Sequence, residues 1–90
     1  MISQTTKVVN PSGLHARPAS VFVKCAMSFE SKITARNVST DSEAKDAKSI
    51  LAVMGLGMKK GHEIEICADG ADEQEAVSAL VQLVESGCGE

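Results

Sequence analysis

Residues 63–67 (Glu-Ile-Glu-Ile-Cys) alternate between charged and apolar side chains, and no other feature limits the fold of this chain as strongly. A period of two residues is typical of a β-strand that has one face in the core and the other in water. Such a sheet needs amphipathic helices to cover its apolar face. The segment therefore favours an α+β fold, with helices on one side of a mostly antiparallel sheet.

The hydrophobic period changes several times along the chain, which predicts alternating strands and helices in the order βαββαβα. We predict strands at residues 2–9, 32–36 and 63–67, a short edge strand within the polar stretch 37–48, and helices from Ala16 to about Ser28, at 49–56 and at 72–85. The apolar stripes of the two longer helices are predicted to be Ala19, Phe22, Val23, Ala26 and Phe29, and Ala76, Val77, Leu80, Leu83 and Val84. Ser49 is the expected N-cap of the short helix, and Gly57 its expected end.

The composition excludes several classes of protein. With a net charge of −3, the chain lacks the basic excess of a nucleic-acid-binding protein. Its apolar runs fall short of the roughly 20 residues that a membrane-spanning helix needs. Its first ten residues lack the apolar stretch of a signal peptide. We therefore expect a cytoplasmic protein with no nucleic-acid partner and no membrane insertion.

The three cysteines, Cys25, Cys67 and Cys88, are odd in number and form no Cys-x-x-Cys or Cys/His cluster. This pattern gives no support to a disulfide framework or a zinc site. We expect free thiols, no metal and no cofactor. Because Cys88 lies between Gly87 and Gly89 near the end of the chain, it is predicted to be exposed.

The most informative segment is a turn that ends in His15, with a helix beginning directly after it. Backbone N–H groups of a first helical turn point towards such a side chain and favour a neutral, nucleophilic ring. The same N–H groups and the Arg17 guanidinium would stabilise a phosphoryl group carried on that ring. A contribution of about 0.3–2 kcal/mol from the helix end would tune transfer without trapping the group.

Three segments carry a resemblance to a known family: residues 13–20 (GLHARPAS), 48–57 (KSILAVMGLG) and 70–76 (GADEQEA). They resemble HPr, the histidine-containing phosphocarrier family of the bacterial phosphoenolpyruvate:sugar phosphotransferase system. The resemblance covers nearly the whole chain. It implies one domain over residues 1–90 with an open-faced sandwich fold, a four-stranded antiparallel sheet with three helices on one face.

The resemblance also implies a function. His15 would accept a phosphoryl group on Nδ1 from enzyme I, which is charged by phosphoenolpyruvate, and would donate it to EIIA domains of sugar permeases. Arg17 would neutralise the phosphoryl oxygens, and Ser49 would be a regulatory phosphorylation site. The protein would then be a carrier and not a turnover enzyme. An HPr kinase/phosphorylase and a transcriptional regulator are further expected partners of what we expect to be a monomer.

One departure from the family lies before Ser49, where the polar stretch is slightly longer than usual. The extra residues fit a longer hairpin. We expect the geometry of the site to be preserved despite this insertion. The shape of the edge strand, and its recognition by a kinase, can differ from those of the family.

The short helix carries more apolar residues than its core face can use. Val53 and Leu56 can face the core, which leaves a second face exposed, and an exposed apolar patch is typical of a contact surface. Basic residues beside it would attract acidic partners. The predicted partner surface comprises Ala16, Ser20, Lys24, Lys48, Ile50, Leu51 and Met54, with Lys45 as a further nearby cation.

Two other functions stay open at this point. The chain could serve a nitrogen-regulatory or dihydroxyacetone-kinase relay, which the sequence does not separate from sugar transport. It could also be a regulatory binding module that acts through Ser49, although such a module would need neither His15 nor Arg17. The remaining polar residues of the fourth strand region, His62, Glu63 and Glu65, are expected to be surface residues without a catalytic role.

Overall fold

The computed structural model describes residues 1–88. Its elements are β1 (Ile2–Lys7), α1 (Ala16–Met27), β2 (Lys32–Asn37), β3 (Lys45–Asp46), α2 (Ile50–Met54), β4 (Glu63–Asp69) and α3 (Glu73–Glu85). The predicted order of strands and helices is confirmed. β1 and α2 are shorter than predicted, because the ladder of β1 ends at Lys7 and the helical hydrogen bonds of α2 end near Gly55.

The four strands form one antiparallel sheet in the order β1-β4-β2-β3. The central strand β4 pairs with β1 on one side and with β2 on the other, so that Glu65 lies opposite both Thr5 and Arg36. β3 adds only two residues at the edge, and Ala35 is the partner of Lys45 there. The predicted four-stranded antiparallel sheet with three helices is therefore confirmed, including the short edge strand.

The alternation in β4 has the predicted consequence. Ile64 and Ile66 are fully buried on the helix-covered face, while Glu63 and Glu65 lie on the other face. There the Arg36 Nε donates a hydrogen bond of 2.9 Å to Glu65. The open face thus carries a polar cross-strand pair, and the covered face forms one side of the core.

The helices α1 and α3 pack against one another, and α3 also lies on β1 and β4. Four of the five predicted α1 stripe residues are buried, and Phe29, just beyond the helix, is half-buried. In α3 the stripe is slightly rotated, because Val81 is buried and Leu83 only half-buried. The buried residues of the two helices are Pro18, Ala19, Phe22, Val23 and Ala26, and Ala76, Val77, Leu80, Val81 and Val84.

The prediction that Cys88 is exposed is wrong, since only 1% of its surface is accessible. Gly87 has a φ of +85°, which turns the chain back over the end of α3. The Cys88 N–H then donates to the Leu83 carbonyl at 2.8 Å, and the Gly87 N–H donates to Val84 at 3.1 Å. This is the Schellman arrangement, in which the residue after the glycine packs against the last turn of the helix.

Asp72 precedes α3 but does not cap it with its side chain. Its carboxylate instead accepts hydrogen bonds from the Ser31 hydroxyl and from the N–H groups of Ser31 (2.9 Å) and Glu30 (2.8 Å). These bonds hold the pKa of Asp72 below its usual value, with the Ser31 hydroxyl as the largest cause. Asp72 therefore ties the turn before α3 to the turn between α1 and β2.

Across residues 1–88, the helices are too short and too polar to cross a membrane.

Candidate functional site

The chain reaches the candidate site through a tight turn. The Gly13 N–H donates to the Asn10 carbonyl at 2.9 Å, and Gly13 has a φ of +71°, which favours glycine. The next N–H, that of Leu14, donates to the Met58 carbonyl at 3.1 Å, and the Leu14 side chain is buried. The backbone immediately before His15 is therefore anchored by hydrogen bonds to Asn10 and to Met58.

His15 is the N-cap residue of α1 and its side chain is exposed. Its backbone is extended (φ −80°, ψ −167°), and its carbonyl accepts the Ala19 N–H at 2.9 Å, which closes the first helical turn. Pro18 fits in this turn because its ring removes an N–H that the helix would not use. The predicted arrangement of turn, histidine and helix is confirmed.

Arg17 is the second residue of α1 and is also exposed. Within residues 1–88, no carboxylate forms an ion pair with its guanidinium. The helix N-terminus contributes partial positive charge at the same place. An anionic group attached to the His15 ring would therefore meet backbone donors and a guanidinium suited to phosphate oxygens.

Ser49 lies at the start of α2 and acts as the predicted N-cap. Its hydroxyl accepts the Ala52 N–H at 3.3 Å, and its carbonyl accepts the Val53 N–H at 3.0 Å. Ser49 as a whole is half-buried. Capping and a role as an acceptor of a phosphoryl group are compatible at this position, because a helix N-terminus tolerates negative charge.

The helix α2 exposes an unusual amount of apolar surface. Leu51 is 81% exposed, Met54 41% and Ile50 38%, while Val53 and Leu56 are buried as predicted. α2 packs against α1. The remaining predicted partner residues, Ala16, Ser20 and Lys24, follow one another at four-residue steps along α1 and so share one face. Ala16 and Lys24 are exposed and Ser20 is half-buried.

The two lysines before α2 are less available than the sequence indicates. The Lys48 Nζ donates to the Phe29 carbonyl at 2.7 Å, and the side chain is half-buried. The Lys45 Nζ lies 3.6 Å from the carboxylate of Glu43. Lys48 therefore contributes a fixed positive charge beside α2, whereas Lys24 is exposed on α1.

Two features of the site region have no clear sequence signal. Met58 supports the turn before His15 through its backbone carbonyl, which side-chain patterns do not reveal. His62, expected at the surface, is half-buried, and its ring Nδ1 lies 3.1 Å from the side-chain amide of the buried Asn37. Residues 1–88 contain no group of His, Cys, Asp and Glu side chains that could hold a metal ion.

The comparisons with known proteins agree with this geometry. The sequence profile described as "PTS HPr component phosphorylation site" matches residues 2–86. The chain is 38% identical over 86 residues to the multiphosphoryl transfer protein of Vibrio cholerae, and the match covers 96% of this chain and 22% of that protein. The chain thus spans about a fifth of the length of the curated relatives it matches.

Solved structures give the same result over full chains. HPr-C-His from Thermoanaerobacter tengcongensis is 43% identical with a TM-score of 0.92, and the match covers 100% of this chain and 98% of that one. The HPr dimer from the same organism superimposes with a TM-score of 0.76 over 100% of both chains. A matching profile over residues 2–86, a shared fold and the turn, histidine and helix arrangement together place the chain in the HPr family, the phosphocarriers of the phosphoenolpyruvate-dependent phosphotransferase system.

Proposed function

We propose that the protein carries a phosphoryl group on His15 between enzyme I and EIIA domains of sugar permeases. The observation that carries this proposal is the exposed His15 ring at the N-terminus of α1, with Arg17 on the same helical turn. A carrier must present its group to two different partners in succession. An exposed side chain on an anchored backbone can be presented to each partner in turn.

In the proposed step, the Nδ1 lone pair of a neutral His15 attacks phosphorus on phosphorylated enzyme I. A bond between nitrogen and phosphorus forms as the bond to enzyme I breaks, and the released electron pair stays on enzyme I. Arg17 and the first N–H groups of α1 stabilise the charge on the phosphoryl oxygens. Transfer to an EIIA domain repeats the same displacement with His15 as the leaving group.

The exposed face of α2 and the stripe of Ala16, Ser20 and Lys24 form the proposed partner surface. Leu51 offers the largest apolar contact, and Lys24 and Arg17 supply positive charge for acidic partners. Phosphorylation of Ser49 would place a dianion beside this surface and so alter which partners bind. An HPr kinase/phosphorylase and a transcriptional regulator are the proposed partners for that state.

The proposed setting is the cytoplasm, and the proposed form is a monomer. Incubation with enzyme I and labelled phosphoenolpyruvate tests the central claim. The parent should acquire an acid-labile label, and His15→Ala should acquire none while it remains folded. Label on His15→Ala would refute the assignment. If the labelled parent donates its phosphoryl group only to acceptors of a nitrogen or dihydroxyacetone relay, those acceptors are the destination and sugar permeases are not.

A further inference from the structure

A polar residue occupies a core position at the end of β2. Ile33, Ala35 and Asn37 point to the covered face of the sheet, and all three are buried. An apolar side chain would be expected at the third position, because burying an amide is unfavourable unless its atoms are hydrogen-bonded. The hydrogen bonds of Asn37 therefore indicate what this position contributes.

The contacts of Asn37 fix the orientation of its side-chain amide. The oxygen accepts the Thr40 N–H at 3.2 Å, so the nitrogen is the atom that faces the other way. That nitrogen donates to the Leu56 carbonyl at 3.1 Å and lies 3.1 Å from the His62 Nδ1. Each side-chain atom of the amide thus has a partner of the opposite kind.

The contacts of His62 fix its tautomer in turn. Its Nδ1 also receives the Lys59 N–H at 3.2 Å, and a backbone N–H can only donate. Two donors therefore meet at Nδ1, which must carry the lone pair, and the ring proton lies on Nε2. The His62 N–H returns a bond of 3.0 Å to the Lys59 carbonyl.

These bonds hold the segment 56–62 at both of its ends. At the first residue, the Leu56 carbonyl accepts a hydrogen bond from the Asn37 side chain. At the last residue, the His62 ring accepts a hydrogen bond from the Lys59 N–H. Between them lies Met58, whose carbonyl accepts the N–H of Leu14, the residue before His15. The segment is also joined to the end of β1, because the Val8 N–H donates to the His62 carbonyl at 2.9 Å.

We propose that Asn37 and His62 are positioning residues for His15: their hydrogen-bonded pair fixes segment 56–62, which in turn holds Leu14 and the backbone that leads into α1. Neither side chain touches the reacting atoms. The link to phosphoryl transfer rests on the proposed function, whereas the link to the Leu14 anchor rests on the contacts alone. Residue 62 must supply a hydrogen-bond acceptor in this role.

Amide hydrogen exchange measured by NMR tests the anchor directly. His62→Ala removes the acceptor, and His62→Asn keeps an oxygen close to where Nδ1 lies. In His62→Ala the exchange of the Leu14 N–H should become about tenfold faster, the change expected from losing one hydrogen bond. The exchange of the Ala76 N–H, which bonds to the Asp72 carbonyl at 2.9 Å at the start of α3, serves as the remote control. His62→Asn should restore most of the Leu14 protection.

Equal acceleration at Leu14 and Ala76 would indicate general destabilisation and would overturn the proposal, as would a failure of His62→Asn to restore protection. A second readout uses the nitrogen chemical shifts of the His62 ring in the parent. They should show an unprotonated Nδ1 and a protonated Nε2. The opposite tautomer would overturn the contact network on which the proposal rests.

Transfer kinetics separate this proposal from the proposed function. His62→Ala should lower the maximal rate of uptake from enzyme I. It should leave KM for the carrier unchanged, because no residue of the proposed partner surface is altered. A parent that accepts no label at all, with Leu14 exchange as expected, would refute the carrier function and leave the anchor standing. A labelled parent with unchanged rates in His62→Ala would refute the positioning role.

Discussion

Gly13 lies directly against the peptide of Met58, and a Cβ built on Gly13 would lie 2.0 Å from the Met58 carbonyl oxygen. No side chain fits there, so the close approach and the φ of +71° both require glycine. Gly13→Ala should therefore move the turn away from Met58 and disturb the backbone before His15. We expect a loss of unfolding free energy and slower phosphoryl uptake.

Gly57→Ala is the matched control, because Gly57 also has a positive φ, +63°, but a Cβ there would meet nothing within 4 Å. It should cost about 1–2 kcal/mol through backbone strain alone. Gly13→Ala should cost more than this by at least about 1 kcal/mol in urea unfolding. Equal losses for the two variants would mean that the contact with Met58 is unimportant.

Removal of the Arg17 guanidinium should affect transfer and not folding. Arg17→Ala should slow phosphoryl uptake about 10- to 100-fold, the range expected for one charge-assisted hydrogen bond. Its stability should stay within about 0.5 kcal/mol of the parent, as for most surface changes. Lys7→Ala removes an exposed positive charge from β1, outside the proposed partner surface, and serves as the control. Rates for Arg17→Ala that match the parent would remove Arg17 from phosphoryl handling.

A negative charge at residue 49 should leave the fold intact and weaken the encounter with enzyme I. Ser49→Asp keeps an oxygen for the cap and places a charge beside Ile50, Leu51 and Met54. Ser49→Ala loses the bond to Ala52 and roughly 1 kcal/mol of stability, yet should accept phosphoryl groups at a near-normal rate.

The uptake rate of Ser49→Asp at low and at high salt decides between the two roles of this residue. Repulsion from an acidic partner is least screened at low salt, so the deficit relative to the parent should be largest there. If Ser49→Asp and the parent react equally fast at low salt, Ser49 is a helix cap without a regulatory role.

Two leucines of the α2 region should show opposite effects. Leu51 is 81% exposed, so Leu51→Ala should leave stability within about 0.5 kcal/mol and raise KM for the carrier about fivefold or more. Leu56 is 4% exposed, and Leu56→Ala should cost about 2–5 kcal/mol of unfolding free energy. Urea unfolding and steady-state transfer by enzyme I measure the two effects. An unchanged KM for Leu51→Ala would exclude this face of α2 from docking.

The bonds of Asp72 make one part of the stability depend on pH. Its pKa in the folded protein lies below the ordinary value of 3.8, chiefly because of the Ser31 hydroxyl and then the Glu30 N–H. The stabilisation is therefore complete above pH 3.8 and is lost as the pH falls through the lower, folded value. Asp72→Asn should be less stable than the parent at pH 7, and the difference should shrink below about pH 4. Glu75→Gln, which removes an exposed charge from the same helical turn, should show no such convergence.

The sequence predicted the elements whose periods are regular and missed the contacts that join distant backbone groups. β4, α1 and α3 could be assigned because burial alone imposes periods of two and 3.6 residues. Cys88 could not be placed, because a Schellman turn depends on one positive φ at Gly87 and on hydrogen bonds back to α3. Asn37 offered one signal, a polar residue at an apolar position of a strand, but its partner His62 is 25 residues away and no pattern joins them.

Self-association at the β3 edge is limited by the shortness of that strand. An exposed strand edge offers unpaired N–H and C=O groups on which another chain can add a strand, a common route to aggregation. β3 consists only of Lys45 and Asp46, both exposed and of opposite charge. Few backbone groups are therefore available there, and each is flanked by a hydrated side chain. Concentrated solutions of this protein should therefore resist sheet extension at this edge.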